Sequence, residues 1–206
     1  MTEEAAARRR LVAVAGHAGD EATIRAHAND RDPRVRATAL GALARCGRLD
    51  TAELRAATHD PHPSVRRRAA QLAARRPAVP LVPLLADPDP MVAEMAAWAS
   101  GERDEPEPGA VAALVALATD APEQLCREAA VAALGALGDP AGLDAILRAC
   151  GDRPNVRRRA VLALAPFDGA EVRRALEHAL RDRDRQVRQA AQDLLAIADG
   201  YEERPR

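Results

Sequence analysis

The chain has 206 residues and a formal net charge of −1, with 30 basic residues, all arginine, against 31 acidic ones. This balance argues against indiscriminate binding to nucleic acid or membrane, although it leaves room for a local basic patch. The three cysteines show no paired spacing that would suggest a metal knuckle or a redox motif, and their odd number argues against a disulfide framework. There is no signal-peptide pattern and no apolar run of about 18 residues. We therefore expect a cytoplasmic protein that does not enter a membrane.

The first 19 residues predict a single capping helix. Thr2 precedes two glutamates and an alanine-rich run that extends to about Ala15. A hydroxyl cap and acidic residues are favourable at a helix N-terminus. Gly16 and Gly19 then end the helix. We interpret residues 1–19 as an end cap that shields the apolar face of the first repeat.

A repeat of about 30 residues fills most of the remaining chain. One apolar marker residue recurs at separations of 30, 27, 33, 31 and 31 residues. The marker residues are Val35, Val65, Val92, Leu125, Val156 and Val187. Such a period is typical of a solenoid of stacked helical repeats.

Two further columns divide each repeat into two helices. Eleven residues before the marker stands an apolar residue that predicts the core contact of the first helix: Ile24, Leu54, Leu81, Leu114, Ala145 and Leu176. Four residues after it stands an alanine in every repeat: Ala39, Ala69, Ala96, Ala129, Ala160 and Ala191. Uniformly small residues indicate close helix-to-helix approach on the second helix.

These columns predict an all-α fold, a right-handed α-solenoid (superhelix) of about six helical pairs after the N-terminal capping helix. We expect one domain over residues 1–206, with the six repeats in 20–198 and a C-terminal tail in 199–206. Asp32-Pro33 and Asp89-Pro90 predict starts of second helices, because a carboxylate caps a helix and proline suits its first position.

An Asp in the turn, followed six residues later by Arg with Pro and Val between, resembles HEAT repeats, especially the short bacterial type named after phycobilisome lyases. In that family the Asp and Arg form a ladder that links successive repeats. The resemblance therefore implies structural roles for Asp30, Arg36, Asp60, Arg66, Asp87, Asp120, Arg157, Asp182 and Arg188. Ala93 and Cys126 depart from this pattern, and Asp152 stands one place late, after Gly151.

The resemblance implies a binding scaffold more often than an enzyme, and the residues favour the same reading. Deoxyhypusine hydroxylases resemble this array but bind iron through His-Glu pairs, and this chain has no His-Glu dipeptide. His59 and His62 stand three apart without further ligands nearby. We predict no metal site, no cofactor and no catalytic residue.

The second helices present one candidate binding surface. At about 100° per residue, positions 2, 3, 6 and 10 after the marker point away from the buried face. The candidate binding residues on this surface are Arg67, Arg68, Arg75, Met95, Trp98, Arg127, Arg158 and Arg159. Arginine pairs with acidic groups, and Trp and Arg often dominate interface energies.

We expect a non-catalytic adaptor or scaffold that binds a protein partner on this second-helix, concave surface. The alternative is a nucleic-acid-binding HEAT-like array, possible because alkylpurine DNA glycosylases are HEAT-like proteins that hold DNA with basic and aromatic residues. The pattern indicates neither the identity of the partner nor the oligomeric state.

Overall fold

The computed structural model describes residues 2–202, with side chains described for residues 2–197. This part of the chain contains thirteen α-helices and one 3-10 helix, Pro140–Gly142, and no β-strand. The helices are α1 Glu3–Ala18, α2 Glu21–Ala26, α3 Pro33–Arg45, α4 Thr51–Ala57, α5 Pro63–Ala73, α6 Val82–Leu85, α7 Pro90–Gly101, α8 Ala110–Asp120, α9 Gln124–Leu137, α10 Leu143–Ala149, α11 Pro154–Ala163, α12 Ala170–Ala179 and α13 Arg185–Glu202.

The predicted all-α fold is confirmed, with α1 followed by six pairs of helices, α2–α3 through α12–α13. The Thr2 hydroxyl caps α1 by accepting from the Ala5 amide. The helix continues to Ala18, beyond the predicted end, and stops at Gly19, whose φ of 75° lies in the left-handed region that glycine adopts readily. At the other end α13 runs to Glu202, and residues 203–206 of the predicted tail lie outside the described residues.

The chain divides into two compact units, Met1–Ala99 and Ser100–Arg206. In the first unit, α1 packs against α3 and α3 packs against α5. In the second unit, α9 packs against α8 and α11, and α11 packs against α13. Within each unit, therefore, the second helices of successive repeats are direct neighbours.

Both predicted core columns are buried, with one exception. All six first-helix positions, from Ile24 to Leu176, are at most 6% exposed. Five of the six column alanines are 0% exposed, but Ala129 is only half-buried. The close approach that the alanines imply is visible in the second unit, where a Cβ added to Gly135 would lie 2.6 Å from the Cα and Cβ of Ala163. The exposure of Ala129 shows that the predicted register of the fourth repeat is wrong.

The prediction that Leu125 is the marker of the fourth repeat is wrong by one residue. Leu125 is 43% exposed, whereas Cys126 is 2% exposed and occupies the buried position. Ala130, four residues after Cys126, is 0% exposed. A buried free cysteine behaves as a small apolar side chain, so it can replace the valine that marks the other repeats.

Pairs of Asp and Arg join successive turns in the way a ladder requires. In the first unit, Arg36 donates from Nε and Nη2 to the two carboxylate oxygens of Asp60, at 2.9 and 2.7 Å. Its Nη1 donates to the backbone carbonyl of Asp30 in its own turn, at 2.9 Å. Arg66 repeats both contacts, with the Asp87 carboxylate and the Asp60 carbonyl. Each guanidinium thus ties its own turn to the next repeat.

The second unit contains two rungs of the same kind. Arg157 donates to both carboxylate oxygens of Asp182, each at 2.8 Å. Arg127 does so with Asp152, at 2.7 and 3.0 Å. The late position of Asp152 is therefore compatible with a rung, and Arg127 is the ladder residue that follows the corrected marker Cys126. The exposed Asp120 takes no part, because the carbonyl that Arg127 contacts is that of Ala121.

The two ends of the ladder differ from the expected pattern. Arg8 of α1 pairs with both carboxylate oxygens of Asp30, so α1 contributes a rung as well as an end cap. Arg188 donates through Nη1 to the Asp182 carbonyl, at 2.7 Å. Among the described residues, no ion pair to a carboxylate accompanies this bond. Ala93 occupies an Arg position and makes no rung.

The rungs lower the pKa of their aspartates. For Asp182 the hydrogen bond from Arg157 is the largest cause, and for Asp152 it is the bond from Arg127. For Asp60, burial would raise the pKa, but hydrogen bonds from Arg36 and the His62 amide outweigh it. A lowered folded-state pKa means that each rung stabilises the fold above the ordinary value of 3.8 and loses that contribution as the pH falls through the lowered value.

Replacing Ala130 by Leu should destabilise the protein by about 1–3 kcal/mol, because the added atoms overpack a fully buried helix contact. The free energy of unfolding from urea titration measures the effect. The matched control is Ala129→Leu, whose half-exposed site can accept a larger side chain at a cost below about 1 kcal/mol. Equal midpoints for the two variants would contradict the corrected register.

Replacing Asp182 by Asn should cost about 1.5–3 kcal/mol near neutral pH, because Arg157 loses charge-assisted bonds, with solvent screening keeping the loss toward the lower figure. The difference from wild type should shrink as the pH falls below about 4, where the unfolded state takes up a proton, and vanish as the pH falls through the lowered pKa of folded Asp182. Urea midpoints across this range provide the test. Asp168→Asn, at an exposed loop residue, is the control, and a constant difference at every pH would show that the rung does not titrate as described.

Candidate functional site

An open groove lies on the second helices of the first unit and encloses about 600 Å³. Its lining comes from the second helices α3, α5 and α7 and from α1. The lining residues are Arg9, Ala13, His17, Arg34, Ala37, Thr38, Gly41, Ala42, Arg45, Ser64, Arg67, Arg68, Gln71 and Met95. The predicted surface of the second helices is thus a groove in this unit.

Small residues of α3 keep the groove open. Ala37, Thr38, Gly41 and Ala42 all line it, and none carries a side chain longer than that of threonine. Counted from the marker Val35, they stand 2, 3, 6 and 7 residues later, which places them on one side of the helix. The neighbouring helices carry longer side chains. At these four positions the surface of α3 therefore lies lower than the surfaces on either side of it.

The charge of the groove has one sign. Five arginines and a histidine line it, and no aspartate or glutamate is among the lining residues. The five arginines are Arg9, Arg34, Arg45, Arg67 and Arg68. Within the described part of the chain, none of them forms an ion pair, in contrast to the arginines of the ladder. The chain as a whole has almost no net charge, but the groove is a positive region whose arginines are not paired with carboxylates.

Arg68 is the most constrained of these cations. Its Nη1 donates to the Gln71 side-chain oxygen at 2.6 Å. A Cβ added to Gly41 would lie 2.2 Å from its Nη2, so the guanidinium rests directly against the backbone of α3. Burial, and after it the charge of Arg45, lower the pKa of Arg68. The side chain is held in a position where its positive charge is poorly compensated.

Of the predicted binding residues, Arg67, Arg68 and Met95 line the groove. Arg75 and Trp98 belong to the same unit but do not line it. Arg75 is exposed, and Trp98 is 41% exposed on α7. The predicted Trp anchor therefore lies outside the groove.

The predicted binding residues of the second unit already have partners. Arg127 is a ladder residue with a 15% exposed side chain, so its assignment to the binding surface is corrected. Arg158 donates to the Gln186 side-chain oxygen at 2.8 Å, and Arg159 lies 3.7 Å from a carboxylate oxygen of Glu128. Arg159 thus has a carboxylate beside it, whereas Arg158, like Arg68 of the groove, has a neutral amide partner.

Four basic residues of the groove were missing from the prediction. Arg45 stands ten residues after Val35 and satisfies the rule that selected the others, so the sequence contained its signal. Arg9 and His17 lie on α1, which the sequence indicated only as an end cap. Arg34 precedes the marker and falls outside the selected positions.

The histidines of the turns have local partners. His59 Nδ1 lies 3.1 Å from the Arg55 carbonyl, and His62 Nδ1 accepts from the Ser64 amide at the start of α5. Among the described residues there is no group of three or more His, Cys, Asp or Glu side chains placed to hold a metal ion. None of the described helices is long and apolar enough to cross a membrane.

The sequence model for HEAT repeats matches residues 51–135 and 111–196, which together span more than half of the chain. This chain belongs to the HEAT-repeat family. In the HEAT repeat marked by Val65, the first residue after the marker, Arg66, forms a rung, whereas the next two, Arg67 and Arg68, line the groove. A search among curated proteins finds no match.

Solved structures of repeat proteins share the fold. A crystal structure of an engineered protein matches with a TM-score of 0.61 and 19% identity, over 88% of this chain and 97% of that one. A designed armadillo repeat protein in complex with the peptide (KR)4 matches with a TM-score of 0.63 and 19% identity, over 84% of this chain and 97% of that one. At this identity the likeness concerns the HEAT-like helical fold alone.

Proposed function

We propose that this HEAT-repeat protein is an adaptor that binds an acidic segment of a partner protein in the groove of its first unit. The observation that carries the proposal is the lining of five arginines without a carboxylate. Guanidinium groups that lack a carboxylate partner in their own protein are available to pair with one from another protein, often through two parallel hydrogen bonds.

The charge of the groove selects the class of partner. The designed armadillo repeat protein with this fold is in complex with a basic peptide, (KR)4. The groove of the present chain has positive charge, so electrostatic complementarity favours an acidic peptide. Met95 gives the groove one flexible apolar contact beside the charges, which suits an acidic segment that includes an apolar residue.

A protein segment fits the groove better than nucleic acid does. Single-stranded nucleic acid is held by stacking on aromatic rings as well as by positive charge. The lining contains no aromatic residue, and Trp98 lies outside it. In the second unit, Glu128 lies 3.7 Å from Arg159 and compensates part of its charge, which reduces the charge available for a long phosphate backbone.

The test compares binding of three fluorescein-labelled probes: the peptide (ED)4, the peptide (KR)4 and a single-stranded oligonucleotide of the same charge as (ED)4. We expect (ED)4 to bind most tightly, with an affinity that falls as salt is added. Changing Arg67 and Arg68 together to Glu should weaken (ED)4 binding by at least about tenfold, because two attractive contacts become repulsive.

The matched control changes Arg158 and Arg159 to Glu, which alters the net charge equally in the second unit. This variant should retain most of the affinity, and both variants should keep their helical circular dichroism because partly exposed charges contribute little to stability. Tighter binding of the oligonucleotide than of (ED)4, or loss of binding in the control variant alone, would contradict the proposal.

A further inference from the structure

Arg45 of α3 and Arg68 of α5 lie on neighbouring helices, and both line the positive groove. Arg68 reaches from α5 across α3 to Gly41, and Arg45 extends from the end of α3 toward α1. A Cβ added to Gly16 of α1 would lie 3.2 Å from Nη1 of Arg45. The charge of Arg45 acts on Arg68, and no carboxylate lies among the lining residues that surround them.

The protein itself does not offset this repulsion. Two like charges in a partly desolvated site raise the free energy of the unliganded protein. The only described polar partner of Arg68 is the neutral Gln71, which orients the guanidinium without balancing its charge. Uncompensated charge of this kind is characteristic of binding sites, where a ligand supplies the opposite charge.

The number of charges points to a dianion. One carboxylate carries a single negative charge and would balance only one of the two guanidinium groups. A phosphoryl group carries a charge of about −1.5 to −2 near neutral pH and has three acceptor oxygens, so it can accept hydrogen bonds from both. Gly41 has no side chain, so the Arg68 guanidinium lies low in the groove and the space above the guanidinium stays open. This arrangement favours such a ligand.

We propose that Arg45 and Arg68 form a subsite for a phosphoryl group carried by the acidic partner segment, so that phosphorylation of the partner controls its binding. This inference rests on the proposed function, since it assigns one subsite within the same groove. Arg67 and Arg34 line the groove beside the subsite and pair with the acidic residues that flank the phosphorylated one.

The experiment uses the full chain and three labelled peptides, Ala-Glu-Glu-X-Glu-Glu-Ala, in which X is serine, glutamate or phosphoserine. The phosphoserine peptide should bind at least about tenfold more tightly than the glutamate peptide, the gain expected from added charge-assisted bonds. Arg45→Met and Arg68→Met should remove most of this gain, so that the phosphoserine and glutamate peptides bind with similar and reduced affinity. Arg75→Met, outside the groove, is the matched control and should leave the gain intact.

Gly41→Ala supplies a second, charge-neutral variant. Its Cβ would displace the Arg68 guanidinium and should reduce the preference for phosphoserine without changing the net charge. Loss of the preference in both Arg variants and in Gly41→Ala, with helical circular dichroism unchanged, supports the subsite. Inorganic phosphate added as a competitor should displace the phosphoserine peptide, because both occupy the same subsite.

Equal affinity for the glutamate and phosphoserine peptides would overturn the phosphoryl subsite while leaving acidic-segment binding intact. If none of the three peptides binds, both proposals are overturned. A phosphodiester oligonucleotide that binds more tightly than the phosphoserine peptide, and depends on Arg45 and Arg68, would assign the subsite to nucleic acid and so also contradict the inference.

Discussion

The paired hydrogen bonds between an arginine and an aspartate of the next turn are the interaction on which the rest of this structure depends. In the Arg36–Asp60 rung, both carboxylate oxygens accept from one guanidinium, whose remaining nitrogen donates to a backbone carbonyl. Such a bond set fixes distance and orientation together. The second helices of neighbouring repeats consequently lie side by side within each unit, and small residues such as Ala39 and Ala69 allow their close contact.

The same ladder explains how a chain of nearly zero net charge can contain an uncompensated groove. The rungs bind aspartates to arginines one residue after the marker, as in Arg66–Asp87. The next two residues, Arg67 and Arg68, line the groove and form no ion pair in the described structure. A single helix therefore carries a paired arginine at one position and unpaired arginines at the next two. The first serves stability, and the second is available for binding.

The sequence predicted the fold well because burial and close packing impose a strict period. It placed the fourth marker at Leu125, but Cys126 is the buried residue. That one-residue shift also moved Arg127 from the ladder to the predicted surface. The groove was harder to predict, since it depends on side chains of α1 and on the room that Gly41 leaves for the guanidinium of Arg68. No single helix contains that information.

The central claim is that the groove arginines are free for a ligand and the ladder arginines are not. The most direct measurement is a two-dimensional NMR titration that follows the arginine Nε–Hε resonances as the peptide (ED)4 is added. The account predicts that the resonances of Arg45, Arg67 and Arg68 shift. Those of Arg36 and Arg66, engaged in rungs, should stay in place, as should that of Arg158. Shifts confined to the rungs or to Arg158, with the groove resonances unchanged, would contradict it.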